Sequence, residues 1–265
     1  MNHNQIKFPV FSIVTVTCNA AKVLESTITS VINQTYPEIE YIIIDGASND
    51  GAVNIIRQYE AGISYWVSEQ DEGLYDAMNK GLKAASGEYV WFLNAGDVLK
   101  HNEVVMELSV IAMKNKLPDI LYGETDLMDR EGMVFAERRL KAPEKLTWKS
   151  FRMGMLVCHQ AFIVKRSIAP EYDMQYRFSA DFDWCIRCMI EAEKAGELTP
   201  LSYICNSHLR LVNYLSEGMT TANRKASLKE RYVIMCKYYG VVPTQIRHLW
   251  FAIRFYWAKF FKNNS

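Results

Sequence analysis

Four short clusters hold most of the side chains in this sequence that are equipped for chemistry. They are Thr17-Cys18-Asn19, Asp45-Gly46-Ala47-Ser48-Asn49-Asp50-Gly51, Glu69-Gln70-Asp71-Glu72-Gly73 and Asn94-Ala95-Gly96-Asp97. All are acidic, amide or hydroxyl in character. Such groups suit ribose hydroxyls, base N–H donors and a divalent cation that neutralises a diphosphate. Taken singly, each is an ordinary turn. What sets them apart is that a short apolar run, readable as a strand, precedes each one.

Those runs alternate with helical patterns. Phe11 to Thr15 is an uncharged, β-branched run that predicts a buried strand. From Lys22 to Gln34, Leu24, Ile28, Val31 and Ile32 fall at i, i+4, i+7 and i+8, and Pro37 closes the helix. A strand at Tyr41 to Ile44, a short helix to about Tyr59 and a strand at Ile63 to Val67 follow. Leu74 to Ala85 predicts a helix stopped by Ser86-Gly87, and Tyr89 to Leu93 another strand. This rhythm implies a parallel sheet with right-handed crossovers, in three layers. Ligands of such sheets bind beyond the carboxyl ends of the strands, so the four clusters share one edge.

The rhythm loosens after Asp97. Strands are expected at Asp119 to Tyr122, Met133 to Glu137 and Ala161 to Lys165, and a helix at Asp181 to Lys194. From Ala222 the chain reads as helical, in two pieces separated by Gly240-Val241-Val242-Pro243. The common nucleotide motifs are missing. No G-x-G-x-x-G follows the first strand, which disfavours a nicotinamide-dependent dehydrogenase. Gly46 and Gly51 have P-loop spacing, but Ala52-Val53 stand where Lys and Ser/Thr are required.

Read in order, Thr15 to Asn19, Ser30-Val31-Ile32-Asn33-Gln34-Thr35-Tyr36-Pro37, Ile44 to Gly51, Asp71-Glu72-Gly73-Leu74-Tyr75-Asp76-Ala77-Met78-Asn79-Lys80-Gly81 and Phe92 to Asp97 strongly resemble family 2 glycosyltransferases. The resemblance implies an α/β GT-A fold, a Rossmann-like αβα sandwich with a mostly parallel central sheet. It also implies an inverting, nucleotide-sugar-dependent transferase. It covers residues 10 to about 100 well, weakens to 220 and is absent beyond. The expected organisation is a domain over 8–220, with a nucleotide half at 8–100 and an acceptor half at 101–220. A helical extension would occupy 221–265.

Carried over by position, the resemblance places Thr17, Asn19, Asp45 and Ser48 around the nucleoside, with Asp45 accepting from a pyrimidine N–H and Asp71 closing the pocket. Lys80 has two readings, a contact to the diphosphate or donor sugar and a surface ion pair with Asp76 at i, i+4. The family's acidic metal motif is thinned here to Asn94-Ala95-Gly96-Asp97, leaving Asp97 as its carboxylate. One acid can suffice for magnesium or manganese, with phosphate and water completing the shell. A cap for the following segment is the plainer role for Asp97. The acidic motif opening a helix past the sheet matches Phe178 to Trp184. Its register makes Asp181 the general base, ahead of Asp183. Ala180 stands where the family has Glu, and both acids also suit helix capping. His159 is either an acceptor contact or a buried, satisfied histidine. His208 and Tyr214 to Thr220 are candidates for a lid.

The donor implied is a nucleotide diphosphate sugar, UDP-linked, and the acceptor a glycan or lipid-linked sugar in polysaccharide biosynthesis. A non-catalytic nucleotide-sugar-binding or scaffold protein on the same fold is the alternative that the thinned motifs allow. The 265 residues carry 30 Lys+Arg against 30 Asp+Glu, a balance that gives no reason to expect nucleic acid. Six cysteines are too sparse for a disulfide scaffold, and Cys185 and Cys188 read as reduced thiols on a helix. With neither a signal-peptide plan nor a spanning segment, the expected setting is the cytosol, at or near the inner face of the membrane. Arg231 to Ser265 has six basic residues and no acid. Its aromatic stretch Leu249 to Lys262 suits a membrane interface, and equally suits packing on the domain or on a second subunit.

Overall fold

The computed structural model describes residues 8–198, 203–216 and 223–250. The first half runs β1 (Phe11–Thr17), α1 (Ala21–Ile32), β2 (Ile39–Asp45), α2 (Ala52–Gln58), β3 (Tyr65–Ser68), α3 (Leu74–Ala84) and β4 (Tyr89–Phe92). These strands lie in the order β3-β2-β1-β4, all parallel, with Thr17 opposite Asp45 and Asp45 opposite Ser68. The second half adds β5 (Val98–Leu99), α4 (Val104–Lys114), β6 (Ile120–Met128), β7 (Val134–Glu137), β8 (Phe162–Lys165), α5 (Ala180–Leu198), β9 (Ile204–Leu215) and α6 (Arg224–Tyr239). The sheet continues from β4 through β8, β6 and β9 to β5, and β7 pairs with β6.

Alternation along the central strands explains the three layers. Val14, Val16, Ile42, Ile44, Val90 and Phe92 face a core built with Met78 and Leu82 of α3, Phe182 and Trp184 of α5, and Ile234 and Met235 of α6. Their neighbours Ile13, Tyr41, Ile43, Tyr89 and Trp91 face the other core, with Leu24 and Ile28 of α1, Ile56 of α2 and Leu108 of α4. Strands covered on both faces read as unbroken apolar runs, as β1 and β2 do.

Three differences from the sequence reading matter for the site. Helix α4 went unread, although Val104, Leu108 and Ala112 recur at helical spacing. Strand β9 went unread because register shifts beside Glu124 and a left-handed His208 (φ 57°) break its alternation. Helix α6, read as the start of an extension, is embedded in the core through Ile234, Met235 and Tyr239. Cys185 and Cys188 are free, buried thiols on α5.

Candidate active site

A cavity of about 500 Å³ opens where the carboxyl ends of β1 and β4 meet the first turns of α3 and α5. Thr17, Asp71, Asn94, Asp97 and Asp181 line it, together with Tyr75, His159, Arg138, Tyr214 and Arg231. Three carboxylates and two guanidinium groups therefore share one space.

Two polar atoms in its wall, Thr17 Oγ1 and Asn94 Oδ1, are buried without a hydrogen-bond partner. Leaving such groups unpaired costs about 1–3 kcal/mol each, so the wall is built to receive a polar ligand. Asp71 closes this side. Its Oδ1 accepts the Gly73 N–H (2.9 Å) where α3 begins. Its other oxygen lies so close to Gly46 that a Cβ there would sit 2.3 Å from it.

Asn19, Asp45 and Ser48 lie behind the wall and do not line the cavity. Asp45 is fully buried and accepts from the Ser48 N–H (2.9 Å), the Ser48 hydroxyl and the Ser68 hydroxyl (2.6 Å). The Ser48 hydroxyl in turn accepts from the Asn19 N–H (2.7 Å), and the Asn49 N–H donates to Asn19 Oδ1 (3.0 Å). This lattice stitches the loop after β1 to the loop after β2. It holds Asn19 and Ala47 at φ 50° and 54°, a left-handed backbone costing roughly 1–2 kcal/mol per ordinary residue. Lys80 is also outside the cavity. It pairs with Glu69 (2.9 Å) and Asp76 (3.4 Å) and donates to the Gln70 carbonyl, so the surface ion pair is the arrangement adopted.

Asp97 sits at the end of the tight turn after β4, nearly buried, and accepts the Leu215 N–H at 2.9 Å. Burial pushes its carboxyl up to about 7, against the opposing pull of the Leu215 N–H and Gln160. A cation beside it would hold it ionised. With Asn94 Oδ1 next to it in the wall, the donors are hard oxygens of the kind magnesium and manganese take, so these residues fit such an ion. No group of three His, Cys, Asp or Glu that could hold a metal occurs among the described residues, so any ion here would rely on ligand oxygens and water.

Asp181 and Asp183 open α5 but diverge. Asp181 Oδ1 accepts from the Tyr75 hydroxyl (3.2 Å) and the Phe182 N–H (2.9 Å), and Asp181 faces the cavity. Asp183 corrects the sequence reading. It is fully buried away from the cavity, bound to Arg187 (2.6 Å), Lys237 (3.1 Å) and the Tyr238 hydroxyl (2.8 Å). A two-residue step along a helix turns the side chain by about 200°, which sends the second acid to α6.

His159 is buried with its Nε2 2.7 Å from the Tyr172 hydroxyl and its ring stacked on Phe92. Burial lowers its pKa to about 4, against a partial counter-pull from Asp181. It is thus a neutral, satisfied wall residue.

Sequence reasoning did not assign the two cations. Arg138 follows β7 and donates to the carbonyls of Leu140, Met155 and Leu156. Arg231 reaches in from α6 over the Phe182 ring (5.7 Å), its Nε buried without a partner. Arg231 belongs to a helix that the sequence pattern separated from the domain, which is why it was passed over. His208 is exposed and lines a different cleft, and of the candidate lid, residues 217–220 lie outside the described residues.

The family model described as "Glycosyl transferase family 2" matches residues 12–169. An uncharacterized glycosyltransferase of Mycobacterium tuberculosis is 35% identical over 191 residues, 70% of this chain and 71% of that protein. A PGL/p-HBAD biosynthesis glycosyltransferase of Mycobacterium bovis is 30% identical over 190 residues, 68% of this chain and 70% of that one. The crystal structure of S. aureus TarS in complex with UDP-GlcNAc superposes with a TM-score of 0.65 at 18% identity. It covers 85% of this chain and 64% of the TarS chain, a likeness of fold.

Proposed function

Because the chain belongs to glycosyl transferase family 2, we propose that it moves a sugar from a UDP-linked donor onto a glycan or lipid-linked acceptor, with inversion at the anomeric carbon. The observation that carries this reading is the single cavity in which unpartnered Thr17 Oγ1 and Asn94 Oδ1, Asp97, and the braced carboxylate of Asp181 converge. The UDP-GlcNAc bound by TarS and the biosynthetic relatives support the donor class and the setting.

In this reading Thr17 and Asp71 hold the nucleoside, and the Asp45–Ser48–Asn19 lattice keeps the loop that follows Thr17 rigid. Asn94 and Asp97 would hold magnesium or manganese, which when bound neutralises charge on the diphosphate. Arg231 adds fixed positive charge facing the cavity, a preorganised term that costs no reorganisation during reaction. Asp181 takes the acceptor hydroxyl proton as that oxygen attacks the anomeric carbon and the nucleoside diphosphate departs. General-base assistance of this kind is typically worth 10²–10⁴-fold.

The test uses purified protein, manganese and UDP, followed by UDP-sugars. UDP raises the melting midpoint, and Asp181→Ala keeps UDP affinity while abolishing donor turnover. No shift with UDP, GDP or dTDP overturns the donor reading. UDP binding without turnover by the unmodified protein favours a non-catalytic nucleotide-sugar binder.

A further inference from the structure

Past Gly240 the chain is helical again over residues 241–250, and this helix is inside out. Two of its polar residues face the protein. Thr244 is fully buried, and His248 packs edge-on against Tyr232 of α6, ring centroids 5.2 Å apart. Its apolar side faces solvent. Val242, Ile246, Leu249 and Trp250 recur at i, i+4, i+7 and i+8 and are 65%, 64%, 64% and 55% exposed, with Val241 beside them at 53%. A helix on a water-facing surface carries the reverse arrangement, and a continuous exposed apolar stripe marks a contact surface.

Charge decides what that surface meets. Residues 241–265 contain Arg247, Arg254, Lys259 and Lys262, no acidic residue, and seven aromatic side chains. The two earlier cations of the basic stretch are used internally, Lys237 on Asp183 and Arg231 at the cavity. A second copy of the chain, meeting this helix symmetrically, would set Arg247 against Arg247, with no acid in the segment to offset it. Anionic headgroups complement them, and rings with interleaved cations are the composition of an interfacial anchor. Among the described residues no helix is long and apolar enough to cross a membrane.

We propose that the 241–250 helix docks the protein on an anionic lipid surface. The same chain segment contributes Arg231 to the cavity one helix earlier, so docking fixes the orientation of the cavity relative to the lipid. Exposure and charge of this segment would dock the protein whether or not the donor is UDP-linked.

Flotation of the full chain with phosphatidylcholine vesicles, with and without phosphatidylserine, tests it. The protein floats with the anionic vesicles, and each basic residue near the surface is worth about fivefold in partitioning. Raising salt from about 0.1 M to 1 M shortens the screening length from roughly 10 Å to 3 Å and releases it. The double variant Ile246→Glu/Leu249→Glu lowers the bound fraction about tenfold or more. The milder Leu249→Gln/Trp250→Gln lowers it less, and both melt with the unmodified protein because these positions are solvent-facing. No flotation of the unmodified chain, or flotation of the Ile246→Glu/Leu249→Glu variant equal to that of the unmodified chain, overturns the proposal. So does a concentration-dependent dimer in sedimentation that the double variant abolishes while neither form floats, which would assign the face to a second copy. A chain that binds UDP but no vesicles loses this inference alone.

Discussion

The Tyr75 hydroxyl donates to Asp181 Oδ1 at 3.2 Å, joining residues 106 positions apart. Tyr75 lies in the first turn of α3, directly after the loop that carries Asp71, and Asp181 opens α5. The bond therefore ties the nucleoside side of the cavity to the proposed base. Burial raises the Tyr75 pKa well above its usual value, so it stays a donor across the working range.

Tyr75→Phe should lower kcat by about 10–100-fold, the worth of one hydrogen bond to a charged group. The ring would still stack on Tyr172, centroids 5.6 Å apart, so KM for the donor and the melting midpoint should hold. A loss of stability with unchanged kcat would make Tyr75 a packing residue and not a positioning one.

Arg231→Gln should weaken UDP by about 10–100-fold while leaving uridine affinity unchanged, with Arg231→Lys in between. A guanidinium whose Nε has no protein partner beside the cavity is an anion contact in waiting. Titration calorimetry with UDP and uridine separates the two ligands. Equal losses for both would show that the substitution disturbs the cavity as a whole.

The first hundred residues were legible because the central strands β1, β2 and β4 are buried on both faces and the loops after the strands are polar. The apolar runs of β1 and β2 and the turn clusters after them carry that signal locally. Beyond residue 100 the information becomes non-local. Strand β9 pairs with β6 in parallel on one side and with β5 in antiparallel on the other, with register shifts beside Glu124, and no local alternation encodes that. The site split the same way. Asp71, Tyr75, Asn94, Asp97 and Asp181 fall within motifs, whereas Arg138 and Arg231 reach the cavity through packing of separate elements. Asp183, ranked behind Asp181, is bound by Lys237 and Tyr238 of α6, partners that no local motif reveals.

Asp183→Ala should cost about 3–5 kcal/mol of stability, since it removes the buried centre of a network holding Arg187, Lys237 and Tyr238. Helix α6 would loosen from α5, and chemical denaturation would show the midpoint falling. Turnover measured well below the new midpoint should fall far less than for Asp181→Asn. A catalytic loss at Asp183 as deep as at Asp181, with intact stability, would return it to the site.

Two buried groups of opposite sign contribute to the pH dependence of stability in metal-free protein between about pH 4 and 7. His159 has a folded pKa near 4 against about 6.5 unfolded, so the unfolded chain binds the extra proton between those values and stability rises with pH there. Asp97 has a folded pKa near 7 against about 3.9 unfolded, so the folded chain binds the extra proton and stability falls as pH rises through the same window. The two slopes, each about 1.4 kcal/mol per pH unit, nearly cancel from about pH 4 to 6.5. Their contribution in the unmodified protein should therefore be almost flat. Asp97→Asn removes the opposing slope, so that variant should lose stability steadily as pH falls from 6.5 to 4. His159→Phe should do the reverse and gain stability as pH falls over the same range. Denaturant midpoints at half-unit pH steps, with chelator present, measure all three profiles. Parallel profiles for the two variants would mean that one of these groups is not buried in the state assigned to it.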